Sequence, residues 1–239
     1  MEPSLSVSLS GQLALQRRLD TLANNVANAG TVGFRAENVT FDSILSRSAV
    51  AFADAGRATF SRASGAFAQT GGPLDVAIQG DAFLSIATPG GTVLTRDGRM
   101  RVSATGDLET LDGHAVLDSG GGPLRIDPAL GPVQISRNGA ITQNGGRVGT
   151  IGLFRIPDDA RLARGLGVGF VSDKPPEAVT EFKTTGMLQG YVENANVNGV
   201  HEMTRLIAIS RAFEAMSTSL EQSDRKLSDA IRALGEGRR

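Results

Sequence analysis

Residues 22–35 read LANNVANAGTVGFR, from Leu22 through Asn24, Asn25 and Asn28 to Gly30, Gly33, Phe34 and Arg35. The stretch opens on a helical apolar pattern and closes in glycines. It holds no nucleophile, no metal-binding cluster and one charge. Short amides and glycines at a helix end stop the helix and hydrogen-bond neighbouring backbone. Such chemistry points to assembly rather than catalysis.

Upstream, apolar residues fall at Leu5, Leu9, Leu15, Leu19, Leu22 and Val26, and the later gaps of four, three and four are helical. Gln16, Arg17 and Asp20 fill the opposite face, and Gly11 interrupts the early part. At 1.5 Å per residue this helix extends roughly 35 Å. Downstream, Phe41, Ile44 and Leu45 suit a short helix or an extended segment. Ser48 to Gly72 is rich in small residues, with Phe52, Phe60 and Phe67 spaced along it. It reads as an extended connector pinned by phenylalanines.

From Leu74 to Tyr191 the pattern changes to strands and turns. Leu74, Val76 and Ile78 alternate with Asp75, Ala77 and Gln79. Asp97-Gly98, Asp112-Gly113, Asn138-Gly139 and Asn144-Gly145 then mark tight turns, because such pairs tolerate positive φ. Arg96-Asp97-Gly98 is weakly echoed by Arg137-Asn138-Gly139. Close-spaced turns leave no room for long helices, so the middle is an antiparallel β domain. The last element carries Val200, Met203, Ile207, Phe213, Met216, Leu220, Leu227, Ile231 and Leu234 at gaps of mostly three, four or seven. That seam predicts a long helix in a coiled coil.

The expected fold is therefore mostly β with two long terminal α-helices. An antiparallel β domain is inserted between helices that pair with each other as a coiled coil. The boundaries follow: an N-terminal helix in 1–35, an extended connector in 36–73, a β-rich outer domain in 74–191 and a C-terminal helix in 192–239. Two helices cannot bury two apolar stripes completely, so the termini are candidates for polymerisation.

Composition narrows the function. A net charge of −1 gives no electrostatic ground for nucleic-acid binding, and zero cysteines exclude disulfides and thiolate chemistry. No run reaches transmembrane length, and Met1-Glu2-Pro3-Ser4 lacks the basic and apolar regions of a secretory signal peptide. His114 and His201 are the two histidines and lie far apart, so neither a metal centre nor an acid–base site is expected. Gly165-Leu166-Gly167-Val168-Gly169 lacks the spacing of a phosphate loop and reads as a glycine-rich turn. Asp158, Asp159, Glu177 and Glu181 have no partner constellation and read as solvated charges. Asn38-Val39-Thr40 matches a glycosylation acceptor, a pattern common by chance. Asp224-Arg225-Lys226 is a charged helix face.

These stretches together resemble the bacterial flagellar rod and hook axial proteins. The family's N-terminal pattern maps onto Ala23, Asn24, Asn25, Val26, Ala27, Asn28, Thr31, Gly33, Phe34 and Arg35. Three further stretches follow in the family's order: Thr70 to Gly80, Thr95-Arg96-Asp97-Gly98 with Gly106-Asp107-Leu108, and Gln189 to Val197. The last leads into Glu202-Met203-Thr204 and Arg211-Ala212-Phe213-Glu214. One departure is Ser6, where the family commonly carries Tyr.

The length and the start resemble the proximal-rod type, with a distal-rod or hook-type subunit as the alternative. The resemblance implies a structural, non-enzymatic subunit without cofactor, metal or small-molecule substrate. It is exported by the flagellar type III apparatus and assembles with itself and with adjacent rod subunits in the periplasm-spanning shaft of the basal body. The implied assembly interface is Leu15, Leu19, Leu22, Asn24, Asn25, Asn28, Thr31, Gly33 and Phe34 at the N-terminus. At the C-terminus it is Asn196, Val200, Met203, Ile207, Phe213, Met216 and Leu220. The competing class is a β-rich enzyme or carbohydrate-binding module with helical dimerisation ends. It calls for a polar catalytic set or exposed aromatics, against which stand two His, one Tyr and no Trp.

Overall fold

The apolar spacing of the N-terminus forms helix α1 (Glu2–Ala27) in a computed structural model that describes residues 2–40, 43–45, 51–53 and 57–236. Phe41, the side chains of Leu5, Ile44, Leu45, Phe52, Leu227, Ile231 and Leu234, and residues 237–239 lie outside that description. Short strands β1 (Glu37–Thr40), β2 (Ser43–Leu45), β3 (Ala51–Ala53), β4 (Arg57–Phe60) and β5 (Phe67–Gln69) follow. Next come β6 (Val76–Gln79), β7 (Phe83–Thr88), β8 (Gly91–Thr95), β9 (Met100–Val102) and β10 (Leu108–Thr110). After a 3-10 turn at Pro128–Leu130 lie β11 (Val133–Ile135), β12 (Ala140–Gln143), β13 (Gly146–Thr150) and β14 (Leu153–Arg155). The series closes with β15 (Leu162–Arg164), β16 (Phe170–Ser172), β17 (Glu177–Ala178), β18 (Gly186–Gln189), β19 (Tyr191–Glu193) and helix α2 (Gly199–Glu236).

Two compact units result. One comprises Met1–Ala27, Glu37–Thr59 and Asn198–Arg239; the other, the β body, comprises Asn28–Ala36 and Phe60–Val197. The largest sheet of the β body has the order β15-β16-β8-β7-β14-β17, beside a three-stranded sheet β11-β12-β13 and the pairs β9–β10, β6–β18 and β5–β19. Its ladders are antiparallel, with Ile86 opposite Val93 in the central hairpin. The Asn144-Gly145 signal is realised between β12 and β13, where both residues have positive φ, 47° and 78°. That is the geometry a two-residue hairpin needs. The main core gathers Ile78, Leu84, Leu108, Val116, Ile141 and Ile151, and a smaller cluster holds Phe83, Leu94, Ile156 and Phe170. Val76, Ala77 and Ile78 are all fully buried, so β6 is covered on both faces despite its alternating look.

The helical unit corrects the expected coiled coil. The helices run antiparallel and touch: Gln12 Nε2 donates to Ser217 Oγ at 3.1 Å, and Asn25 Nδ2 to Glu202 Oε2 at 3.4 Å. Gly11 interrupts nothing, because it lets Met216 come close; a Cβ there would lie 3.2 Å from Met216 Cε. A coiled coil requires apolar knobs buried in facing holes. Among the described residues no apolar side chain of α1 or α2 is fully buried, and the two buried helix residues, Asn25 and Glu202, are polar. The seam positions Val200, Met203 and Ile207 are 79%, 52% and 55% exposed. The physical reason is facial. Val200, Met203 and Ile207 share one side of α2, while Glu202, Ile209 and Met216 occupy the side roughly opposite. The apolar spacing is helical, but its start faces away from α1.

Candidate functional site: a buried clamp in the β body

Helix α1 stops where a tight turn takes over. Thr31 N donates to the Asn28 carbonyl at 3.0 Å, and the Thr31 hydroxyl to Asn28 Oδ1 at 3.2 Å. Gly33 then adopts φ 72°, and its N–H donates to the Glu193 carbonyl at 2.7 Å. From there the incoming and outgoing arms of the β body lie side by side. Ala36 N donates to Asn196 Oδ1 at 2.7 Å, Asn196 N to the Phe34 carbonyl at 3.3 Å, and Asn196 Nδ2 to the Ala63 carbonyl at 2.7 Å.

At the centre of this crossing sits the carboxylate of Glu193, 1% exposed. Its Oε1 accepts from Gly65 N at 2.8 Å and pairs with Arg35 Nη2 at 2.9 Å. Its Oε2 accepts from Arg96 Nε at 2.7 Å and also pairs with Arg96 Nη2. The Arg96 guanidinium, fully buried, also donates to the carbonyls of Ile78, Gly80 and Ala82. One carboxylate thus ties the arm before α2, the arm after α1, the segment at Gly65 and the end of β6. A buried ion is tolerated only when paired and hydrogen-bonded, and here one anion serves two cations.

Burial, more than the ratio of charges, sets the electrostatics here. Desolvation pushes Arg96 down to about 10, against the opposing pull of Glu193, and lowers Arg35 for the same reason. Nε and Nη1 of Arg35 are buried without a hydrogen-bond partner. A third guanidinium, Arg164, lies 4.7 Å from the ring centre of Phe34, 4.6 Å from Phe60 and 5.1 Å from Phe170. Its Nη2 donates to the Arg35 carbonyl at 3.3 Å. Cation–π attraction of this kind is worth about 2 kcal/mol or more when desolvated. Phe60 and Phe170 also meet edge to face with centroids 4.8 Å apart.

In the helical unit, Asn25 is 2% exposed and mimics one rung of a β-ladder: Oδ1 accepts from Glu37 N at 2.9 Å and Nδ2 donates to the Glu37 carbonyl at 2.8 Å. Asn25→Ala removes the hydrogen bonds to both backbone groups and is expected to cost about 1–3 kcal/mol of this unit's stability. Amide exchange at Glu37 should quicken while β7 and β8 keep their protection. An even rise across the chain would contradict that assignment.

Of the other sequence-derived positions, Leu15, Leu19, Leu22, Phe213, Met216 and Leu220 are half-buried on the helices, and Asn24 is exposed. Phe34 is 2% exposed within the clamp. Asn198 Oδ1 caps α2 by accepting from His201 N at 3.1 Å. His114 and His201 lie in different units, and among the described residues no group of three or more His, Cys, Asp or Glu is placed to hold a metal. Asp107 and Asp159 are held below the usual carboxylate range, by the Thr105 hydroxyl with Arg125 and by Lys174 respectively. A general acid needs the opposite shift. Among the described helices none is long and apolar enough to cross a membrane.

Sequence reasoning missed Arg96, Glu193 and Arg164. A signal existed for two of them. Arg35, Arg96 and Glu193 each lie inside one of three separate motif stretches, and charges embedded in such turn-rich, half-apolar runs require a partner if they are buried.

Comparison with known proteins gives the same outline. Residues 5–35 match the family described as flagella basal body rod protein, residues 77–143 the flagellar hook protein FlgE/F/G D1 domain, and residues 188–233 the flagellar basal body rod FlgEFG protein C-terminal family. The chain is 46% identical over 238 residues to the flagellar basal-body rod protein FlgF of Mesorhizobium japonicum, covering 98% of this chain and 99% of that protein. It is 41% identical over 241 residues to FlgF of Rhizobium meliloti, with 100% of each covered. With FlgF of Caulobacter vibrioides it shares 36% identity over 247 residues, covering 99% of each. Matches of that strength along the whole length, on a fold whose buried charges hold the chain's arms rather than a substrate, make this chain a member of the flagellar basal-body rod protein family, whose members are structural proteins and not enzymes.

Proposed function

We propose that the chain is a subunit of the proximal rod, the part of the tubular drive shaft nearest the motor. It reaches its place through the flagellar type III export apparatus. There it polymerises with itself and with adjacent proximal- and distal-rod subunits, and the shaft carries torque across the periplasm. The full-length similarity to proteins named FlgF carries this reading.

The helical unit supports assembly through the termini. Leu9 and Leu13 on α1 are 53% and 55% exposed, and Val200, Met203 and Ile207 on α2 add a second outward apolar stripe. Exposed apolar patches of this kind mark protein–protein contacts. Each is only two or three residues wide, well short of the roughly 1,200 Å² that a stable pair buries. The subunit is therefore expected to be monomeric in dilute solution and to associate on a lattice that engages several patches at once.

Quantitative mass spectrometry of purified hook–basal bodies tests the proposal. Low copy relative to other rod subunits is the expected result. High copy would place the chain in the distal rod, and absence from the particle would overturn the reading.

A further inference from the structure

Residues 166–169 of the glycine-rich run form one wall of a cleft of about 300 Å³ in the β body, and Leu111, Asp112 and His114 of a turn form another. The run is closed on itself, with Gly165 N donating to the Gly169 carbonyl at 2.9 Å and Gly169 N to the Leu166 carbonyl at 3.1 Å. At that volume the cleft is at the small end of pockets that hold small molecules, roughly 300–1,000 Å³. It suits a side chain better than a metabolite.

Its charges are unevenly satisfied. Arg99 and Asp97 neutralise each other through Nε–Oδ1 at 2.9 Å and Nη2–Oδ2 at 2.6 Å. Asp112 is exposed; its carboxylate makes no hydrogen bond or ion pair among the described residues and feels Arg99 only through a longer-range attraction. Leu111 and Leu166 line the same cleft and are 48% and 55% exposed. The complement of this surface is a cationic side chain beside an aliphatic one.

The β body presents that complement elsewhere. Strand β13 is the outer strand of the sheet β11-β12-β13, and residues 146–148 are exposed. Arg147 donates to the Thr150 hydroxyl at 2.6 Å and pairs with no carboxylate among the described residues. Val148 is 38% exposed, and of the exposed large apolar residues in the described β body it alone adjoins a basic residue. An outer strand also offers unpaired backbone groups for docking.

We infer that the cleft holding Asp112, Leu111 and Leu166 receives the β13 edge of a second copy, with Arg147 paired to Asp112 and Val148 against the leucines. The inference rests on the proposed rod assembly and supplies a contact between β bodies for it. The two surfaces share no residue, so the contact is head-to-tail. Contacts of that type propagate into rings or helical polymers rather than stopping at a closed pair.

The chain has no cysteine, so cross-links report this contact without background. Cells co-expressing a Val148→Cys chain and a differently tagged Leu166→Cys chain should yield, after mild oxidation of purified basal bodies, a disulfide-linked product carrying both tags. Chains bearing either substitution alone should give none. Lack of the mixed product in particles that contain both chains overturns the inference, and so does self-linking of the Leu166→Cys chain. Absence of the unsubstituted chain from the particle instead overturns the rod assignment. A charge exchange gives an independent reading. Asp112→Lys and Arg147→Asp should each lower incorporation several-fold, with the melting of the β body unchanged because both side chains are exposed. Combined in one chain, they should restore most of it. Failure of the double variant to recover assigns the cleft to some other partner.

Discussion

Glu193→Ala is expected to destabilise the β body by about 3–5 kcal/mol, the cost of breaking a buried ion pair by removing one partner. For a unit of this size that corresponds to a fall in melting temperature on the order of 10 °C. The substitution leaves Arg35 and Arg96, 3% and 0% exposed, without their shared anion. It also strands the Gly65 N–H. Glu193→Gln keeps an acceptor for Gly65 but drops the charge, so it should fall between wild type and alanine. High salt should not rescue either variant, because buried charges are poorly screened. Asp107→Ala is the control: its pair with Arg125 lies at the surface, where solvent screens it, so its melting should stay close to wild type. Thermal denaturation of the full-length protein decides the matter. A Glu193→Ala transition within about 2 °C of wild type would show that the clamp contributes nothing net.

Gly33→Ala is the second large effect. At φ 72° any L side chain is strained, and the new Cβ would lie 2.4 Å from Asp97 N and 2.7 Å from the Arg96 carbonyl carbon. Both neighbours are backbone, so neither can swing aside. The left-handed torsion costs about 1–2 kcal/mol and the overpacking about 1–3, for a total of roughly 2–5 kcal/mol. Gly71→Ala separates the two contributions, because Gly71 has φ 71° with nothing within 4 Å of the added carbon. Gly30→Ala, also in open space, should be close to neutral. Urea titrations of the three variants should rank Gly33 worst, Gly71 intermediate and Gly30 least. Equal midpoints for Gly33→Ala and Gly71→Ala would remove the steric part of the argument.

Much of the local structure was legible because it is set by neighbours in sequence. Asn144 and Gly145 turn a hairpin since both tolerate positive φ, and the helix from Leu13 onward forms because nothing in it breaks a turn. The helix stop at Gly30 to Gly33 was legible as well. The clamp was not. Arg96 and Glu193 are 97 positions apart, and nothing local tells a buried guanidinium from a solvated one. Arg164 was hidden in the same way, since two of its three phenylalanine neighbours, Phe34 and Phe60, come from distant segments and only Phe170 faces it across the β15–β16 hairpin.

By itself, the sequence determined two long terminal helices, a turn-rich antiparallel middle, the absence of thiol chemistry and the flagellar rod family. All of these rest on short-range periodicity, composition or contiguous motifs. Only the tertiary structure decided which faces meet. Heptad-like spacing predicts a seam but not its direction, and the stripe at Val200, Met203 and Ile207 points outward while Asn25 and Glu202 are buried between the helices. Apolar burial is additive and non-directional, so spacing alone cannot orient a helix. Hydrogen bonds are directional, and here the buried polar pair of Asn25 and Glu202 marks the side on which the helices touch.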